Sequence, residues 1–483
     1  MEIIGSLILS IIQSILFYGK QIGISMLIFE IVCNGIILFV LNKKEKIQNK
    51  AGLWLMVPIV LLSSTYFIFA NRTFYVANIF VIFALNFIMY VILTNQKGTL
   101  TNYLYKTGLL FTDTVGEWQD GLKLSEKVAN EHLSVKKKTV NFKKIAKSVL
   151  IVCVVVGIVL ILLSSADSIF ANLFSGIGRI FTHINTANTF NLILRIVIIV
   201  MVYFLFLSFI LKLQEELEED EYTQKVEEKD TFTIKILLVT LNIVYLIFCF
   251  IQIQSLFARI NIQDSFDYAN YARSGFFQLM FVSFINLAVI LISNRYNAKK
   301  EKNIKILNLM LVVFTIIIAI SSMYRMHMYE MEYGLTYLRM FVYIILITEI
   351  IAFIPIVKYI LDDKFDFMKW CFGICIGAYC VANLMNIENV IVSRNLTRES
   401  IRSIDYNYLS NIASEDSYII LEEKLQDQNI DLKEETAIEN ILINIKKNEK
   451  QLSWQEFNIS KMRIQKRRTN IQRMNEILYD LYY

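Results

Sequence analysis

Proline is nearly missing: Pro58 and Pro355 are the only two in 483 residues, so long helices can run almost without interruption. Charge is scarce too, at 19% against 55% hydrophobic, which is too apolar for a soluble chain of this size. Only three histidines occur, at 132, 183 and 327, and none has companions arranged for a triad or a metal. The six cysteines, at 33, 153, 249, 371, 375 and 380, all fall in apolar runs, which argues against a disulfide framework and a zinc site. There is no Walker motif and no histidine-kinase core, and Gly176-Ile-Gly178 is too weak a pattern for a phosphate loop. No catalytic residue, cofactor site or metal site is therefore expected, and an ATP-driven role would need a partner.

What the chain has in abundance is long apolar runs. Spans are expected at about 22–41, 53–70, 74–94, 148–165, 190–212, 232–256, 274–293, 304–324, 334–358 and 367–385. Each approaches or exceeds the roughly 20 residues needed to cross a bilayer core of about 30 Å. An open strand in lipid would leave backbone groups unpaired, so the spans are helices. Residues 3–17 are apolar without a basic leader region or a small-x-small cleavage pattern, and read as a short first helix that does not fully span. The expected fold is all-α: a polytopic integral membrane helix bundle of about 10–11 transmembrane helices with a small helical C-terminal soluble tail.

Lys and Arg positions set the expected orientation. Lys43, Lys44, Lys46 and Lys50 follow one span, and ten lysines crowd 95–147. Arg295, Lys299, Lys300, Lys302 and Lys305 mark another connector, and Lys358, Lys364 and Lys369 a last one. The intervening connectors hold only Arg72 or Arg179, so basic and non-basic sides alternate. The acidic run from Glu215 to Glu221 does not disturb this, because acidic residues contribute little, and it reads as a solvated loop. The expected divisions are N-terminal transmembrane helices over 1–94, a Lys-rich cytoplasmic segment over 95–147, a core transmembrane domain over 148–385 and a helical extracytoplasmic tail over 386–483. Within the tail, Ile438, Ile441, Leu442 and Ile445 mark one helical face, and Phe457, Ile464, Ile471 and Leu478 recur every seven residues.

Charges inside spans cost roughly 2.5–3.5 kcal/mol each on insertion scales and ask for a partner or a cavity. Glu30, Arg195, Arg339 and Glu349 are such charges; the two arginines lie near the outer edge and can snorkel, whereas the carboxylates cannot. Asn86, Asn242 and Asn286 add polar groups at comparable depth, lining a path or joining helix to helix. Three polar clusters are expected at outer helix ends. They contribute Tyr271 and Arg273; Tyr324, Arg325, Tyr329, Glu330, Glu332, Tyr333, Thr336 and Arg339 from a hairpin; and Asn386 and Glu388. Arg273, Arg325 and Arg339 are expected to pair with Asp267, Glu330, Glu332 and Glu388 and lock helix ends, the alternative being a small cavity for an anionic group.

These residues carry a resemblance. Tyr271-Ala-Arg-Ser-Gly-Phe-Phe-Gln-Leu279, Tyr324-Arg-Met-x-Met-Tyr329, Tyr333-Gly-Leu-Thr336 and Arg339 resemble the bacterial multi-pass family domain of unknown function 4173, itself related to domain of unknown function 4153. Asp405-Tyr-Asn-Tyr-Leu409 and Ser414-Glu-Asp416 are similar to that family's segment after the last helix. The resemblance covers about 150–416, with no matching motif before about 140. It implies a multi-pass protein of a bacterial cell membrane and carries no established activity.

The expected function is a non-enzymatic membrane sensor or scaffold, because polar segments lie on both sides of the spans. The alternative is a secondary transporter or permease using Glu349 and the outer Arg/Tyr/Glu cluster. The expected partners are the lipid bilayer, with anionic lipid or another membrane protein, and no nucleic acid.

Overall fold

The computed structural model describes residues 1–71, 73–95, 98–116, 187–215, 231–257, 276–297, 301–362, 364–398, 404–427, 430–447 and 452–465. Every regular element among them is helical, and nine helices are long and apolar enough to cross a membrane. They match nine of the ten expected spans; the run 148–165 lies outside the described residues. The chain divides into two units. One comprises Met1–Phe67, Ala77–Asp220 and Leu452–Phe457, and the other Ile68–Val76, Glu221–Gln451 and Asn458–Tyr483.

The first unit holds α1 (Glu2–Phe17), α2 (Ile24–Lys43), α3 (Met56–Ile68, its last residue in the other unit), α4 (Tyr75–Thr94, from Ala77), α5 (Leu100–Gly116) and α6 (Ala187–Lys212). Its first helix buries Ser6, Ser10 and Ser14 at four-residue spacing, together with Gly5. Small side chains let helix backbones approach closely in lipid, and a Cβ on Gly5 would stand 3.1 Å from Ile36. The helix runs antiparallel to α2 and α6. Glu2 meets Lys44 at 3.0 Å and Gln214 at 3.4 Å, while Tyr18 at the other end donates to the Asn191 carbonyl at 3.0 Å. A 3-10 turn, Trp454–Glu456, sits where α2 opens: the Gln21 N–H donates to Glu456 at 2.8 Å and Ile24 N–H to the Phe457 carbonyl at 3.2 Å. That is the end opposite Lys43 and Lys44.

The second unit's membrane helices are α7 (Thr231–Phe257), α8 (Phe276–Tyr296), α9 (Lys302–Tyr333), α10 (Tyr337–Leu361) and α11 (Phe367–Leu384). Buried polar side chains join them. Asn242 donates to the Leu307 carbonyl at 3.2 Å, Asn286 to Thr315 at 3.1 Å, Ser293 to Asn308 at 2.7 Å and Ser283 to Glu349 at 2.8 Å. Asn242 and Asn286 thus each tie two helices together, a contact worth about 0.6–2 kcal/mol in a bilayer. The basic ends gather: Lys235 pairs with Glu301, and Lys305 donates to the Leu361 carbonyl at 3.3 Å.

The polar stretch after Met323 is not a loop. Tyr, Met, Arg and Glu are adequate helix formers, so α9 continues to Tyr333 and breaks only at Gly334. At 1.5 Å per residue its 32 residues make a rod of about 48 Å, well beyond a bilayer core of about 30 Å.

Beyond α11 the chain forms a small helical cap from α12 (Ile387–Thr397), α13 (Tyr406–Ile412), α14 (Tyr418–Leu425) and α15 (Leu432–Lys447). Its core joins Val392, Leu396, Leu409, Tyr418 and Leu421 to Ile438, Ile441, Leu442 and Ile445, the stripe expected from the sequence, and Ile464 packs with them. Phe457 is described outside that core, while Ile471 and Leu478 lie outside the described residues.

Candidate functional site

The α9–α10 turn is three residues long, and the cap is built onto it. Gly334 has φ +80°, a left-handed conformation that favours glycine. Asn395 of α12 brackets the next residue: the Leu335 N–H donates to its Oδ1 at 2.7 Å and its Nδ2 donates to the Leu335 carbonyl at 2.8 Å. Thr336 caps α10 by accepting from the Arg339 N–H at 3.4 Å. The Arg339 guanidinium donates to the Gly334 carbonyl and lies 4.3 Å from the centre of the Tyr329 ring, which packs on Tyr333 at 4.7 Å. Arg398 donates to the Glu332 carbonyl at 3.1 Å, and the Tyr337 N–H donates to the Tyr408 hydroxyl at 2.9 Å.

Glu330 is the buried acid of this turn. Arg394 donates to it at 3.3 Å and Tyr343 at 2.9 Å, and His327 stands 3.6 Å away. Beside it runs an open groove of about 630 Å³ between α9 and α10, lined by Tyr324, His327 and Glu330 and by Ile347, Ile350 and Ile351. Arg325 is buried on α9, and Tyr324 is exposed.

A second buried acid, Glu388, ties α12 to the segment ahead of α14. It is fully buried and accepts from the Ser414 N–H at 2.6 Å, the Ser414 hydroxyl at 2.7 Å and the Ser417 hydroxyl at 2.7 Å. Burial, reinforced by nearby Asp416, outweighs these donors and lifts its carboxyl from 4.5 to about 7. Asp416, also raised by burial, accepts from the N–H groups of Ala70 at 2.9 Å and Asn71 at 3.0 Å. The Asn71 side chain donates to the Tyr337 hydroxyl. Asn386, in a left-handed conformation at φ 47°, caps α12 through the Asn389 N–H at 3.4 Å.

The structure therefore gathers Tyr329, Glu330, Glu332, Tyr333, Thr336 and Arg339 at one turn, with Asn386 and Glu388 in the cap seated on it. Tyr271, Arg273 and Asp267 lie outside the described residues. Among the described contacts Glu330 takes Arg394 of α12 and Tyr343 of α10, Glu388 takes serines of the cap, and Arg339 closes its own turn. Sequence reasoning passed over Tyr343, Ser417 and Asn71; Asn71 sits in an Asn-x-Thr triplet that looks like chance.

The intramembrane charges separate. Glu349 accepts from Ser283, and its Oε1 is buried with no donor among the described residues. Glu30 accepts from Asn86 at 2.8 Å and Asn34 at 3.2 Å. Arg195 donates to the Ser14 hydroxyl at 2.8 Å and lies 5.6 Å from the centre of the Tyr18 ring, so it is tethered within the first unit. No group of three or more His, Cys, Asp or Glu able to hold a metal occurs among the described residues.

A family model described as Domain of unknown function (DUF4153) matches residues 56–423. The match begins well upstream of the region carrying the sequence resemblance, and it is to the related family, not to domain of unknown function 4173. No curated protein and no solved structure matches the chain.

Proposed function

The chain belongs to the DUF4153 family of multi-pass membrane proteins, and from that premise we propose that it is a non-enzymatic sensor or scaffold of a bacterial cell membrane. The Tyr324-to-Arg339 motif supports a position near the related domain of unknown function 4173 within that lineage. The observation that carries the functional reading is the seating of the cap. A folded domain holds the α9–α10 turn through Asn395 and Tyr408, and holds Ala70 and Asn71 through Asp416. A cap seated in this way can pass a change in its own state to the α9–α10 turn. The partners in this reading are the bilayer itself, with anionic lipid or another membrane protein and no nucleic acid.

The cap is extracytoplasmic in this proposal, because it sits at the helix ends opposite Arg295 and Lys305. A cysteine placed at the exposed position Leu432, in a background lacking native cysteines, will react with an impermeant maleimide in intact cells. Reaction only after lysis would reverse the orientation.

One observation favours a second reading, a secondary transporter. Glu349 keeps a buried oxygen with no donor among the described residues, as a proton or cation carrier would. Glu349→Gln decides between them. In reconstituted vesicles the sensor reading expects the substitution to leave ion and solute flux unchanged, and Glu349-dependent flux of any ion or solute would make the protein a transporter.

A further inference from the structure

The first unit holds a half-open cavity of about 540 Å³ among α1, α2, α4, α5 and α6, within the usual size range of small-molecule sites. Its walls are aromatic: Phe17 packs on Phe29 at 5.3 Å, and Phe87 on Phe209 at 4.6 Å. Into this apolar space α2 sets Glu30, 6% exposed, about a third of the way along a membrane span. Gln13 and Asn86 also line the cavity, though Gln13 Oε1 and Asn86 Oδ1 themselves are buried away from its surface. The lining hydroxyls are already committed, Tyr90 donating to Asn34 at 2.5 Å and Thr114 to the Leu110 carbonyl at 2.6 Å. No Lys, Arg or His lines the cavity among the described residues.

The charged group set into this apolar cavity is therefore the Glu30 carboxylate. Whatever fills the site must bring N–H donors and positive charge on an apolar body. A metal ion fits poorly, since a hard cation such as calcium needs six to eight oxygens and most of the wall is hydrocarbon. An ammonium head suits the carboxylate and the aromatic faces together. We propose that this cavity binds an organic ammonium ion, a protonated amine on an aromatic or alkyl body, whose N–H groups donate to Glu30. The site lies wholly in the first unit and does not depend on the cap or on the sensor reading.

The test uses the full chain in nanodiscs of uncharged phosphatidylcholine, with radiolabelled 4-phenylbutylamine near neutral pH and empty nanodiscs as the blank. Saturable binding of one amine per chain is expected, with the uncharged 4-phenylbutanol at least about tenfold weaker, the worth of roughly 1.4 kcal/mol. Glu30→Gln should weaken the amine by at least about tenfold and erase its advantage over the alcohol, while Glu435→Gln, in the other unit, should change neither. Glu30→Asp, which keeps the charge, should restore part of the preference. Should Glu30→Gln not fold, Val202→Phe, which narrows the cavity and leaves the carboxylate in place, must weaken binding. No saturable binding to the wild-type chain would overturn the proposal. So would equal affinity for amine and alcohol, or full binding by either Glu30→Gln or Val202→Phe.

Discussion

The cap will loosen as pH rises through neutrality, and Glu388→Gln will remove most of that dependence. Glu388 ionises near its ordinary value of 4.5 when the cap is undocked and solvated, and at about 7 in the folded structure, because burial penalises the charged form. Below the first value both states hold the proton, and folding gains nothing from pH. Between the two, only the docked carboxyl keeps its proton, so each step up in pH favours the undocked state. Above about 7 both are ionised and the cost levels off, at on the order of 3 kcal/mol. Asp416, next to it and also raised by burial, acts in the same direction. Arg463 beside Asp416 opposes it. Hydrogen exchange of α14 followed between about pH 5 and 8 will show protection falling with pH in the wild-type chain. In Glu388→Gln the curve should be much shallower, keeping only what Asp416 contributes, since an amide keeps the shape and an acceptor for the serines but has no proton to lose. An equally steep curve in that variant would assign the titration elsewhere.

The spans were legible because hydropathy and the bilayer's thickness speak to the same quantity, length of apolar chain. Ile438, Ile441, Leu442 and Ile445 were legible for a similar reason, since a helical period names the face that will be buried. What escaped was the end of α9. Hydropathy falls after Met323, yet helix formation depends on backbone preference, and nothing from Tyr324 to Tyr333 opposes it. The Glu388 site escaped for another reason. An acid bound by serine hydroxyls and a backbone N–H has no complementary charge to point to it, and its partners lie 26 and 29 residues away. Arginine is the donor that a sequence displays beside an acid, whereas serine hydroxyls and backbone N–H groups are not. The serine stripe on α1 was present at positions 6, 10 and 14, but its meaning required the neighbouring helices that it lets approach.

Gly334→Ala should be among the most damaging single changes in the cap–helix junction. A Cβ at this position would stand 2.4 Å from Asn395 Oδ1 and 3.1 Å from Arg398 Nη1, on a backbone at φ +80°. The conformational penalty alone is about 1–2 kcal/mol for a residue with a Cβ. Asn395 cannot swing away freely, because its amide holds both the N–H and the carbonyl of buried Leu335. Displacing it leaves either group short of a partner, at about 1–3 kcal/mol each. The expected total is roughly 3–5 kcal/mol, in the rare tail of single substitutions, and should appear as a large drop in the thermal midpoint of the detergent-solubilised protein. The Asn395→Ala background separates the two causes. There the contact is already gone, so adding Gly334→Ala should cost only the conformational part, about 1–2 kcal/mol, giving a coupling of about 1–3 kcal/mol between the two positions. If the two losses simply add, the glycine is required for its backbone conformation alone, and the Asn395 clamp is not what makes this turn intolerant of a side chain.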